Sequence, residues 1–98
     1  MDIKIPKKFI LGGIDYTVEE VDSLNKSQDF GYWTSTGQIE IANTVSSKQV
    51  SESRKRQTLW HEVTHAILHQ MGEYELCDDE RFVNTFSSFL SGAIDTMK

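Results

Sequence analysis

Cys77 is the only cysteine in the chain, so no internal disulfide can form and a disulfide-stapled scaffold is excluded. No apolar run approaches the roughly 20 residues needed to span a bilayer. The opening segment, residues 1–8, lacks the apolar core of a secretory signal. A cytoplasmic location is therefore expected, with no membrane partner. The one dense basic run, Arg54-Lys55-Arg56, is short, and the net charge is −5. A protein that works by wrapping phosphates is expected to carry a basic stripe, so nucleic acid is not the expected partner. Repeats, low-complexity tracts and linkers are also missing. What remains is 98 residues, 38% of them hydrophobic, which suits one domain over 1–98. A domain of that size buries roughly 60–65% of its unfolded surface, enough to fold with little margin.

The first half reads as strands. Phe9-Ile10-Leu11, Gly12-Gly13 and Ile14-Asp15-Tyr16-Thr17-Val18 form a hairpin signal, because paired glycines supply the positive φ of a tight turn. Ile14, Tyr16 and Val18 alternate with polar residues, so one face of that strand is expected to be buried. A polar loop over 23–29 follows. A second hairpin is expected from Phe30–Thr34 and Gln38–Ala42, with Ile39 and Ile41 pointing inward. From about Ser46 the period becomes helical, with Trp60, Val63, Ile67 and Met71 on one stripe and Gly72 as the stop. Asp78 or Asp79 can cap a second helix, whose Phe82, Val83, Phe86, Phe89, Leu90, Ile94 and Met97 are expected to pack inward. The fold class expected is α+β: a small antiparallel or mixed sheet of three to four strands, followed by two helices.

His61 and His65 lie four residues apart in the first helix and so project from one face, a turn apart. Two imidazoles so placed can grip one metal ion, with Glu62 beside them. His61-Glu62-Val63-Thr64-His65 is an H-E-x-x-H pattern, the zinc-metalloprotease signature when it falls on a helix. The apolar stripe of the same helix points about 135° away from the histidines, leaving a packed face and a metal-competent face. Catalytic zinc usually takes three protein ligands, and the third must come from elsewhere. His69, Glu73, Glu75, Cys77, Asp78, Asp79 and Glu80 all follow closely. Glu80 is the choice, because helix phase puts it on a polar flank with Asn84, Ser87 and Ser91, whereas Asp79 falls where a cap is needed. Asn84, one turn on, is expected to orient Glu80. Tyr16, Tyr32 and Tyr74 are possible oxyanion donors, and Tyr74, between the two helices, is best placed.

The segment Thr58-Leu59-Trp60-His61-Glu62-Val63-Thr64-His65-Ala66-Ile67-Leu68-His69 resembles the active-site helix of small phage and mobile-element metallopeptidases. These are distant relatives of the ImmA/IrrE-type and minigluzincin peptidases, all zincins. Glu80-Arg81-Phe82-Val83-Asn84-Thr85-Phe86 is similar to their second-helix motif. The resemblance implies a minimal zincin-like fold, with Glu80 as the third zinc ligand. It also implies that Gln38–Ala42 is the edge strand preceding the active-site helix. The function expected is hydrolysis of peptide bonds with one zinc per chain, Glu62 as general base and Tyr74 as oxyanion donor. The partner would be a peptide or protein substrate lying along Gln38–Ala42, with a regulatory partner protein delivering it. A rival expectation is a catalytically inactive zinc-containing interaction or regulatory protein; an intact Glu62 weighs against it.

Overall fold

The computed structural model describes residues 4–97; residues 1–3 and 98, including the first positions of the opening segment read above, lie outside the described residues. Strand β1 (Lys8–Leu11) turns through Gly12 and Gly13, at φ +57° and +80°, into β2 (Ile14–Val21). The hairpin follows from the sequence, since two successive positive φ values are what a two-residue turn demands. The second hairpin joins β3 (Gly31–Thr34) to β4 (Gln38–Ala42). Tyr16 and Val18 from β2, and Ile39 and Ile41 from β4, are buried on the inner face. The α+β class stands as expected: a four-stranded mixed sheet, then helices.

The order across the sheet is β1-β2-β4-β3, with β2 and β4 parallel. This corrects the expectation that Gln38–Ala42 is an edge strand. The loop after β2 carries the chain past one strand position, β3 forms on the outside, and β4 returns between β3 and β2. The free edge beside the helices is therefore β3. A further small hairpin joins β5 (Thr44–Val45) to β6 (Lys48–Gln49), and its turn and second strand occupy sequence expected to be helical. Ser46 and Ser47 both adopt positive φ there, which no helix continues through.

Helix α1 (Glu52–Gln70) begins only after Ser51, whose Oγ accepts a hydrogen bond from the Arg54 amide at 3.2 Å. Gly72, at φ +78°, ends it, and the Glu73 and Gly72 amides donate back to the Leu68 and His69 carbonyls. Leu59, Val63 and Ala66 carry the contact with the sheet. Of the stripe expected there, Val63 is buried, Trp60 and Ile67 are half-buried, and Met71 is 67% exposed beyond the end of the sheet. A short helix, α2 (Tyr74–Asp78), precedes α3 (Glu80–Thr96), and the Asp79 side chain caps α3 by accepting from the Phe82 amide at 3.1 Å.

Helix α3 is rotated from the orientation that its apolar residues suggest. Val83, Ser87 and Ser91 are buried, while Phe86 and Phe89 are exposed, Phe89 at 77%. The reason lies in what α3 faces. The side of α1 turned toward α3 carries His61 and His65, which meet Glu80, and the small residues Ser87 and Ser91 of α3 are the ones buried there. This rotation turns the polar flank of α3, and with it Glu80, toward the histidines. No helix among the described residues is long and apolar enough to cross a membrane.

Candidate metal centre

His61 and His65 leave α1 on the face turned toward α3, their ring centroids 4.9 Å apart. Glu80, the first residue of α3, places Oε2 3.4 Å from His61 Nε2 and Oε1 3.2 Å from His65 Nε2. One donor atom from each of the three lies within 4.8 Å of the others. This donor set could hold a metal ion. It fits zinc in kind, two imidazole nitrogens and a carboxylate, and the two histidine–glutamate separations are close to those of a zinc site, whereas the widest separation, up to 4.8 Å, would have to close. Zinc–ligand bonds of about 2.0–2.2 Å in a tetrahedron separate neighbouring ligand atoms by roughly 3.3–3.6 Å. Position at a helix N-terminus further favours the negative charge of Glu80.

Other side chains fix the imidazoles. The Trp33 ring stacks on His65, with centroids 5.7 Å apart and planes within 5°. Cys77, buried in α2, sits behind the same ring. Its thiol donates to the His65 carbonyl at 3.3 Å, and its Sγ lies 3.7 Å from Nδ1. Nδ1 is the nitrogen remote from Glu80, so Cys77 braces His65 and leaves Nε2 for the metal side. Burial pushes the Cys77 thiol up, aided by the charges of Asp78 and Glu80, and this keeps it protonated. Asn84, expected to orient Glu80, lines the same groove as His61 and acts weakly on that imidazole. Desolvation lowers the pKa of His61, with the neighbouring His65 adding to the effect. A neutral imidazole is the form that ligates metal.

Glu62 is 5% exposed and turns toward β3. Its approach is so close that a Cβ placed on Gly31 would lie 2.8 Å from Oε2 and 2.5 Å from the Thr58 methyl. Burial, followed by the negative charges of Glu80 and Asp29, pushes the Glu62 carboxyl up to about 8. Its proton affinity is thus tuned to neutral pH by a dry setting and like charges. A divalent cation at the neighbouring triad would pull it down again.

Two open grooves meet at Gly31, His61 and Glu62, each about 490 Å³. One runs between the start of α1 and α3, past Phe30, Arg54 and Ser88; the other runs past Tyr32, Trp33, Cys77 and Glu80. Tyr74, expected as oxyanion donor, opens α2 with an exposed ring edge-on to His69 at 5.1 Å, and it lines neither groove. Tyr16 is sealed in the core, and Tyr32 is the tyrosine that lines a groove. Asp29 and Gly31 were not expected as site residues, and Tyr32 was expected only as a lesser oxyanion candidate than Tyr74, because only the strand order brings β3 alongside α1. The glycine directly before two aromatics was the available signal. No family model, curated protein or solved structure matches the chain, so the functional reading rests on this geometry.

Proposed function

We propose that the chain is a zinc-dependent peptidase in which His61, His65 and Glu80 hold the metal and Glu62 moves the proton. The observation that carries this is the reach of the Glu80 carboxylate across both Nε2 atoms, at 3.4 and 3.2 Å, with the buried Glu62 carboxyl nearby and outside that donor set. Zinc held there supplies a Lewis acid that makes water nucleophilic near neutral pH. A structural metal site has no need of Glu62. Its position at the junction of the two grooves suits a general base that takes a proton from the attacking water and returns it to the leaving amine.

The substrate of this reading is an extended peptide added to β3. In that ladder the Ala42 amide donates to the Phe30 carbonyl, so the alternation of an antiparallel pair turns the backbone groups of Gly31 and Trp33 outward. These are the groups that a peptide strand would pair with, directly beside Glu62 and His65. The same proposal places the protein in the cytoplasm. The test is Glu62→Gln, assayed for zinc content and for cleavage of a mixed peptide library. Zinc and fold should be retained while cleavage drops about 10²–10⁴-fold. Equal cutting by the variant overturns the mechanism.

A further inference from the structure

The basic run at the start of α1 divides into three different roles. Lys55 is consumed by Glu20 at 2.9 Å and Glu52 at 3.3 Å, and Arg56 by Asp95 at 3.1 Å. Arg54 makes no ion pair among the described residues. Its guanidinium carbon lies over the Phe30 ring, 4.3 Å from the centroid, and the residue lines the groove that ends at His61 and Glu62. Arg54 is the one lysine or arginine in that lining, and Gln57 from α1 and Ser88 from α3 stand in the same wall. The cation–π contact with Phe30 holds the guanidinium over the ring, and with no ion pair its N–H donors remain available to a ligand.

We propose that Arg54 is a specificity residue that binds a carboxylate of the peptide substrate. The inference rests on the peptidase reading for what lies in the groove. Arg54 precedes His61 by two turns on the same face of α1, which is about 10 Å along the helix axis. An extended peptide covers about 3.3 Å per residue, so the carboxylate belongs about two or three residues from the bond at the metal. A planar guanidinium fork pairs bidentately with a carboxylate, whereas a neutral side chain at this place would leave it unpaired. The carboxylate has two sources, the C-terminus of a short peptide or an Asp or Glu side chain within a longer one. Asp29, at the junction of the grooves, repels an anion placed next to the metal and so favours the far position.

The test is an NMR titration of zinc-treated ¹⁵N-labelled protein in the Glu62→Gln background, where cleavage does not consume the probe. The probes are acetyl-tetraalanine as free acid, the same peptide as amide, and an amidated version carrying one glutamate at its third position. Zinc content is measured on the same samples, so failure of the metal reading is seen separately; the carboxylate preference is read in either case. At least one acidic peptide should bind about tenfold more tightly than the neutral amide and shift the Arg54 side-chain N–H signal. Arg54→Gln should abolish the preference, and Arg54→Lys should restore part of it. Preference for the free acid alone assigns the terminal carboxylate; preference for the glutamate peptide assigns a side chain. Equal affinities, no binding by any peptide, or a preference that survives Arg54→Gln overturns the proposal.

Discussion

Gly31→Ala isolates the contact between β3 and the proposed general base. In an ordinary strand position, replacing glycine with alanine stabilises by about 0.5–1 kcal/mol, because less backbone entropy is lost on folding. At Gly31 the added Cβ meets the Thr58 methyl at 2.5 Å and Glu62 Oε2 at 2.8 Å, where ordinary contact begins at 3.4 Å. The carboxylate must retreat by about 0.6 Å and the Thr58 methyl by about 0.9 Å, both in the tight seam between β3 and α1. Overpacking of this kind costs about 1–3 kcal/mol, which outweighs the strand gain. A net loss of about 1–2 kcal/mol lowers the melting temperature by roughly 4–16 °C for a domain of this length. Zinc uptake should persist, because the three ligands lie on the α3 side. Peptide cleavage should fall by up to about 10²-fold, since the base is misplaced. The assay is thermal melting with zinc analysis on Gly31→Ala, Thr58→Ser and the double variant, because serine removes the methyl nearest the new Cβ and should recover part of the loss. An alanine variant as stable as the parent, or more stable, would refute the placement of Glu62 against β3.

Two further outcomes follow from the packing and the electrostatics. Ser87→Leu should cost about 1–3 kcal/mol, because it forces a large side chain between α1 and α3, whereas Phe89→Ser should change stability by no more than about 0.5 kcal/mol; urea melts check both, and the reverse ranking would mean that α3 packs by its aromatic face. In chelator-treated protein, Glu62 carries a pKa raised to about 8 from an ordinary 4.5. The folded state therefore holds that proton more tightly than the unfolded state, and its contribution is complete below pH 4.5 and lost as pH rises toward 8. The stability difference between wild type and Glu62→Gln should accordingly move against the wild type across that window, by no more than a few kcal/mol. His61, whose pKa is lowered, acts in the opposite direction in both proteins and cancels in the comparison. A flat difference would show that Glu62 ionises as an exposed carboxylate does.

Local signals in the sequence were sufficient for local structure. Gly12-Gly13 required a turn, Gly72 ended α1, Asp79 capped α3, and the four-residue spacing of His61 and His65 set both on one face. Glu80 was reached through the phase of α3, and the structure brings it to the two histidines. The apolar stripe of α3 coincides only in part with its buried face: Val83 is enclosed as expected, but Ser87 and Ser91 are enclosed with it while Phe86, Phe89 and Met97 are exposed. Periodicity measures which residues are apolar, not which neighbour a helix meets, and the neighbour here is the polar side of α1. Strand order was illegible for a similar reason. Hairpin signals specify partners next to each other in the chain, whereas the parallel pairing of β2 with β4 depends on a crossover. That crossover decides which strand is the edge, and with it the place of Asp29, Gly31 and Tyr32 in the site. The helical period also could not foresee β5 and β6, whose turn rests on two serines at positive φ, a conformation serine seldom takes.

Zinc titration against a competing chelator tests the central claim most directly. Wild-type protein should bind one zinc per chain. His61→Ala, His65→Ala and Glu80→Ala should each lose most of that affinity while retaining their helical content, and Asp79→Ala should keep the metal and lose only a cap, about 0.5–2 kcal/mol of stability. Wild-type affinity in all three ligand variants, or absence of stoichiometric zinc in the parent, would contradict a metal centre built from His61, His65 and Glu80.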